Sequence, residues 1–176
     1  EIELLEKKLS AFSGTKYCVT TSSGTDALLI SLMQYGIQEG DEVITSPFSW
    51  ISTAEVISLL KAKPIFVDIQ EDSCNLDPLL IKKAITKKTK AIIPISLFGQ
   101  PADLKEVRFV ARENGNIPVI EDAAQSFGAK YKNKSFCYFT DVACTSFFPS
   151  KPLGCFGDGG AIFTNSKKIA EKCRAL

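Results

Sequence analysis

The stretch DEVITSPFSWISTAEVISLLKAKPIFVDI, residues 41 to 69, carries the fold in one unit. DEVIT reads as a strand, SWISTAEVISLLKA as a helix, and KPIFVDI as a second strand. Strands that are continuous apolar runs, alternating with helices, mean a mainly parallel sheet covered on both faces. The same alternation continues in both directions. Upstream, EIELLEKKLSAFSG has apolar residues at 2, 5, 9 and 12 and stops at Gly14. KYCVT is then a strand, and GTDALLISLMQYG, apolar nearly all round, is a buried helix ending at Gly36. Downstream, DPLLIKKAI is a helix with proline in its first turn, and KAIIPISLF is a strand whose Pro94 predicts a bulge or an early end. DLKEVRFVAREN opens like a capping box, with Asp103 followed by Glu106, and closes at Gly115. IPVIED, DVACTSFF and GGAIFT are further strands, and SKKIAEKCRAL is a last helix. Without repeats or linkers, this is one α/β domain.

Composition narrows the chemistry. The 176 residues suffice for a sizeable core, and 21 Lys and Arg against 20 Asp and Glu leave a net charge of +1. That balance gives no polyanion-binding surface, so nucleic acid is not an expected partner. No apolar stretch approaches a membrane span, and the charged start EIELLEKKLS is not a signal peptide. Six cysteines lie scattered without a CxxC pair, which predicts reduced thiols in a cytoplasmic protein instead of a zinc ribbon or a disulfide framework. There is no histidine. Ser-His-Asp and Cys-His catalysis are excluded, no metal site is expected, and proton transfer near neutral pH falls to Lys, Asp, Glu, Tyr or a cofactor.

In open parallel sheets, ligands bind beyond the carboxyl ends of the strands. Four unusual stretches follow strand ends here. TSSGTDA, residues 21 to 27, is either a simple helix N-cap or an anion site built from helix N–H groups and hydroxyls. SPFSW, residues 46 to 50, places the sole tryptophan, Trp50, as core or as a ligand platform. VIEDAAQSFGA, residues 119 to 129, runs a buried strand into Glu121 and Asp122 and then to Gln125. Carboxylates there are costly to desolvate unless they meet a cation or a donor, in a structural ion pair or in a site. SFFPSKPLGCFGDGG, residues 146 to 160, isolates Lys151 among prolines and glycines, as a loop charge, a phosphate clamp or a covalent nucleophile. Taken together, an anion cradle, an aromatic plate, a buried carboxylate and a lone lysine are what pyridoxal 5′-phosphate requires.

The sequence also resembles the DegT/DnrJ/EryC1/StrS group of pyridoxal-phosphate-dependent sugar aminotransferases. The motifs SGTDAL, GDEVITSPFSWISTAEVI, PIFVDI, TKAIIPISLFGQPADL, VIEDAAQSFGA and SFFPSKPLGCFGDGGAIFTN carry the likeness in order along nearly the whole chain. The resemblance implies the aspartate aminotransferase-like (fold type I) large domain. It makes Lys151 the lysine that binds the cofactor covalently and Asp122 the partner of the pyridine nitrogen. Gln125 would approach the ring hydroxyl, and Trp50 would stack on the ring. Gly24, Thr25, Asp26 and Ser146 would hold the phosphate. A lysine at position 151, where some relatives carry histidine and dehydrate, implies transamination. TSFFPSKPLGCFGDGGAIFTN is most similar to the branch that aminates C3 of a UDP-linked 2-acetamido-3-keto-glucuronic acid with glutamate as donor, for bacterial surface polysaccharides such as lipopolysaccharide O-antigen.

Members of that group continue past the lysine into a smaller domain and work as homodimers, with a partner subunit adding an asparagine or arginine to the phosphate grip. This sequence ends at Leu176, so the expectation is a partial large domain with the C-terminal small domain absent. Two other readings remain: another fold type I reaction such as aldol cleavage or elimination, and a truncated binding module without turnover.

Overall fold

The computed structural model describes residues 1–135 and 137–176. In chain order its elements are α1 (Ile2–Ser13), β1 (Tyr17–Thr21), α2 (Gly24–Gln34), β2 (Glu42–Thr45), α3 (Ser52–Leu59), β3 (Lys63–Phe66), α4 (Pro78–Ala84) and β4 (Thr89–Ile92). A 3-10 turn at Leu97–Gly99 follows, then α5 (Leu104–Glu113), β5 (Ile120–Asp122), β6 (Val142–Ser146), β7 (Gly160–Thr164) and α6 (Lys167–Ala175).

The strands β3, β2 and β4 pair in one run, and β1, β7, β6 and β5 in another. Parallel bridges from Ile92 to Val119 and from Ile95 to Asp122 set β4 beside β5. The strands therefore form one layer in the order β3-β2-β4-β5-β6-β7-β1. Among the described residues β7 alone runs against its neighbours, β6 and β1, while the β2–β3, β2–β4 and β5–β6 pairs are parallel. The expected mainly parallel sheet holds, and the reversal of β7 has a local cause. Residues 147–159 contain no helix, and a parallel return needs a crossover of that kind. The chain comes straight back, and this loop lies over the edge where the parallel strands end.

Alternation along the strands fills both faces. Val43, Ala91 and Ile93 pack with Leu28 and Leu32 of α2, Val56 and Ile57 of α3, and Cys173 of α6. Ile44 and Ile92 point the other way, onto Ile81 of α4 and Val107 and Ala111 of α5. On that second face α1 adds Leu9 beside Cys18, Ala161 and Phe163. Fully buried side chains such as Leu32, Ile44 and Ile57 each contribute about 1.5–3 kcal/mol. Arg108 of α5 grips Asp141 at 2.6 and 3.0 Å, and the same carboxylate accepts the Val119 N–H at 2.9 Å, tying that helix to the middle of the sheet.

Local signals mostly act as read. Asp77 caps α4 by accepting the Leu79 N–H at 2.9 Å with Pro78 in the first turn, and β4 ends before Pro94. Pro64 lies in β3, the outermost strand, where a missing N–H is tolerated. Two expectations need correction. Helix α3 begins at Ser52, so Trp50 and Ile51 stand outside it. Asp103 makes no capping bond to α5; its carboxylate accepts the Tyr131 hydroxyl instead, a tertiary partner that outcompetes the local box.

Candidate active site

The candidate residues meet at the carboxyl edge of the sheet. Ser23 and Gly24 follow β1, Asp122 ends β5, Ser146 ends β6, and Lys151 lies in the loop that returns to β7. With Thr25, Trp50 and Gln125 they line a cavity of about 320 Å³. Asp26 stands behind the wall. Its carboxylate accepts from the Ser22 and Ser23 hydroxyls, and its N–H donates to Ser23 Oγ at 3.0 Å. The stretch TSSGTDA is thus an N-cap and a wall of the cavity at once.

Two glycines make this corner possible. A Cβ on Gly24 would stand 2.6 Å from Ser146 Cβ, and one on Gly160 would stand 2.3 Å from the Ser23 carbonyl oxygen. The start of α2, the end of β6 and the start of β7 approach to a distance that no side chain permits. The first N–H groups of α2 have no partner inside the helix, and the hydroxyls of Ser23, Thr25 and Ser146 stand beside them, so the corner can bind an anion.

Asp122 forms another wall. It is 7% exposed; Oδ2 accepts the Thr53 hydroxyl at 2.8 Å and Oδ1 the Ala124 N–H at 3.1 Å. Burial lifts its pKa above the usual carboxylate range, while those two hydrogen bonds and the Lys151 charge pull it back. Glu121, one residue earlier, faces away from the cavity because side chains alternate along a strand. It is 1% exposed and takes the Ser96 hydroxyl on Oε1 at 2.6 Å. Its Oε2 has no partner among the described residues. Burial, reinforced by the Asp122 charge and opposed by the Ser96 hydrogen bond, pushes Glu121 up to about 7. Of the acidic pair, only Asp122 reaches the cavity.

Lys151 is partly buried in the same cavity. Its loop is pinned by the Phe147 N–H to Gly159 at 2.7 Å, the Lys151 N–H to Phe148 at 2.8 Å and the Cys155 N–H to Phe147 at 2.8 Å. Lys151 thus shares the cavity with the buried Asp122 carboxylate and acts on it through its charge, without an ion pair between them among the described residues. Trp50 is 73% exposed on the cavity rim, so the core reading of the tryptophan fails. Gln125 accepts the Phe98 N–H on Oε1 at 3.0 Å, which leaves its amide N–H groups free to donate.

Sequence reasoning missed Ser52 and Thr53, which bond Thr25 and Asp122. The adjacent hydroxyls in WISTAE were the available signal, but their partners depend on strand order. The cysteines are free thiols, and burial pushes Cys18 up to about 12 and Cys173 to about 11, well away from reactive thiolates.

An α/β layer in this strand order, with a lysine and a carboxylate facing one cavity at its carboxyl edge, is of the aspartate aminotransferase-like, fold type I class. The chain belongs to the DegT/DnrJ/EryC1/StrS aminotransferase family, whose sequence profile matches residues 1–176. It is 56% identical over 176 residues to a Pseudomonas aeruginosa protein named UDP-2-acetamido-2-deoxy-3-oxo-D-glucuronate aminotransferase, covering 100% of this chain and 49% of that one. The crystal structure of S. venezuelae DesV in complex with a ketimine intermediate superposes with a TM-score of 0.96 at 42% identity, over 99% of this chain and 47% of that one. NtdA from Bacillus subtilis, solved with bound cofactor PMP, superposes at 0.93 with 37% identity, over 98% of this chain and 38% of that one. The chain spans about half the length of the curated relatives it matches.

The residues present fit the pyridoxal phosphate that this class implies. Gly24 and Gly160 let α2, β6 and β7 close to a distance that any Cβ would break, which brings the first N–H groups of α2 and the Thr25 and Ser146 hydroxyls together at one corner as donors suited to a phosphate. Asp122 offers a buried, hydrogen-bonded carboxylate to the cavity, suited to a cationic ring nitrogen, and Lys151 brings a primary amine to the same space.

Proposed function

We propose that residues 1–176 are the cofactor-binding large domain of a pyridoxal-phosphate-dependent aminotransferase. It moves an amino group from glutamate to a nucleotide-linked keto-sugar, with UDP-linked sugars favoured. The observation that carries this reading is the meeting of Lys151, Asp122 and the Gly24 cradle in one cavity, though they come from three separate parts of the chain. The naming of the Pseudomonas relative supports the sugar class. The reading extends to an amino sugar for bacterial surface polysaccharide such as O-antigen, made in the cytoplasm. It also extends to a homodimer, since Trp50, Ile51, Phe98, Phe148 and Phe156 leave apolar surface exposed on this side of the molecule.

When bound, the cofactor supplies an electron sink for breaking and making bonds at the amino-bearing carbon. The chain does the rest. The Gly24 and Thr25 N–H groups, with the Thr25 and Ser146 hydroxyls, would hold the phosphate, and Asp26 orders the turn behind them through Ser22 and Ser23. Asp122 would present a negative charge that favours a protonated pyridine nitrogen, and that proton would in turn favour the ionised carboxylate. Trp50 would cover a face of the cofactor's ring, and the Gln125 amide would donate to its hydroxyl. Lys151 would supply the primary amine that holds the cofactor's aldehyde, with water leaving, and as a free amine it would carry the proton at the donor's Cα.

The test is to incubate the full-length protein that carries this domain, with pyridoxal phosphate, glutamate and a panel of UDP- and dTDP-linked keto-sugars. We expect 2-oxoglutarate and an amino sugar in equal amounts, with a UDP-linked acceptor preferred. A protein that takes up the cofactor but yields neither product from any acceptor refutes the reading.

A further inference from the structure

The first turn of α3 reaches two walls of the cavity with consecutive side chains. Ser52 Oγ lies 2.9 Å from Thr25 Oγ1 at the anion cradle. Thr53 Oγ1 donates to Asp122 Oδ2 at 2.8 Å. Serine and threonine at a helix start ordinarily spend their hydroxyls on backbone N–H groups. Here Ile51 occupies the cap position without a side-chain bond, and both hydroxyls go to tertiary partners. Thr53 is 2% exposed, so water does not compete for its bond. Because Ala124 and Thr53 each serve one oxygen of Asp122, the carboxylate is fixed in one rotamer, and its ionised form is favoured against the cost of burial.

We propose that this turn is a positioning element with divided duties. Thr53 holds Asp122 oriented and charged, while Ser52 holds Thr25 in place within the cradle. Neither residue is required to touch a reacting atom. What the cavity binds rests on the pyridoxal phosphate reading above; the two contacts do not. The pairing also links the two ends of the cavity through one helical turn, so that the cradle and the carboxylate keep a fixed spacing.

The experiment separates the two duties and separates them from the function itself. In the cofactor-free protein carrying ¹³C-labelled aspartate, with the Asp122 signal assigned by its loss in Asp122→Asn, the carboxyl carbon is titrated by NMR. Thr53→Val, and Thr53→Ala as a second variant should valine not fold, move the Asp122 titration to higher pH. Thr53→Ser restores it, and Ser52→Ala leaves it unmoved. With pyridoxal 5′-phosphate added, Thr53→Val shifts the pH at which the visible absorption changes and lowers kcat about ten-fold, with little loss of cofactor affinity. Ser52→Ala does the reverse: cofactor Kd rises several-fold, and the spectral pH profile stays where it was. An Asp122 titration that ignores loss of the Thr53 hydroxyl overturns the proposal, and so does the same pattern of effects from both positions. If the wild-type protein takes up no cofactor, the function reading fails, while the carboxyl titration still decides the role of Thr53.

Discussion

Replacing Glu121 with glutamine should remove a pH dependence from the stability of this protein. The carboxyl is enclosed behind β5, with one oxygen on Ser96 and the other unpartnered among the described residues. Burial raises it from an ordinary 4.5 to about 7. The unfolded chain releases this proton near 4.5 and the folded chain holds it to about 7, so between those values the unfolded state binds fewer protons. Stability therefore falls as pH rises across that window: the contribution is fully present below 4.5 and lost above 7. At 1.36 kcal/mol per pH unit, the gap of about 2.5 units is worth about 3 kcal/mol, an upper figure because the site can relax or admit water. Asp122 is also raised by burial and is present in both proteins, so its own contribution largely cancels in their difference, leaving its charge coupling to Glu121. Urea unfolding of wild type and Glu121→Gln at pH 5 and pH 8, followed by circular dichroism, gives the comparison. Wild type should lose about 2–3 kcal/mol more than the variant between the two pH values. Parallel losses would refute a proton held by Glu121.

Lys151→Ala should abolish transamination and leave the unfolding midpoint nearly unchanged, because a loop lysine contributes little packing. Borohydride reduction with pyridoxal phosphate, followed by peptide mapping, should label the peptide containing Lys151; a label on Lys130 or Lys134 would overturn its role. Asp122→Asn should retain the cofactor through the phosphate cradle while turnover falls on the order of a hundred-fold, and near-normal turnover would remove Asp122 from the mechanism. Gly24→Ala puts a methyl 2.6 Å from Ser146 Cβ, so cofactor affinity should drop about ten-fold and the fold should lose about 1–3 kcal/mol, read by cofactor titration and urea melts. An alanine variant with wild-type affinity would show that the cradle is not where the phosphate sits.

Sequence alone determined the parts whose causes are local. DEVIT, KAIIP and DVACTS are strands because their apolar runs can be buried on both sheet faces, and DPLLIKKAI starts where Asp77 and Pro78 can cap and open a helix. Lys151 stood out because prolines and glycines leave it no helical or strand neighbours. What depends on distant segments had to wait for the tertiary structure. Which strands are neighbours, β4 beside β5 and β7 beside β1, is set by how helices cover the sheet, and no short stretch encodes it. That order alone puts Thr53 against Asp122 and Ser52 against Thr25, pairs 69 and 27 residues apart. It also decides that Asp122 meets the cavity while its neighbour Glu121 is sealed behind the strand. Asp103 makes the same point from the other side: the local pattern predicted a cap, and a hydroxyl from Tyr131, 28 residues on, took the carboxylate instead. Local propensities amount to a few tenths of a kcal/mol up to about one, and a single buried tertiary hydrogen bond is enough to override them.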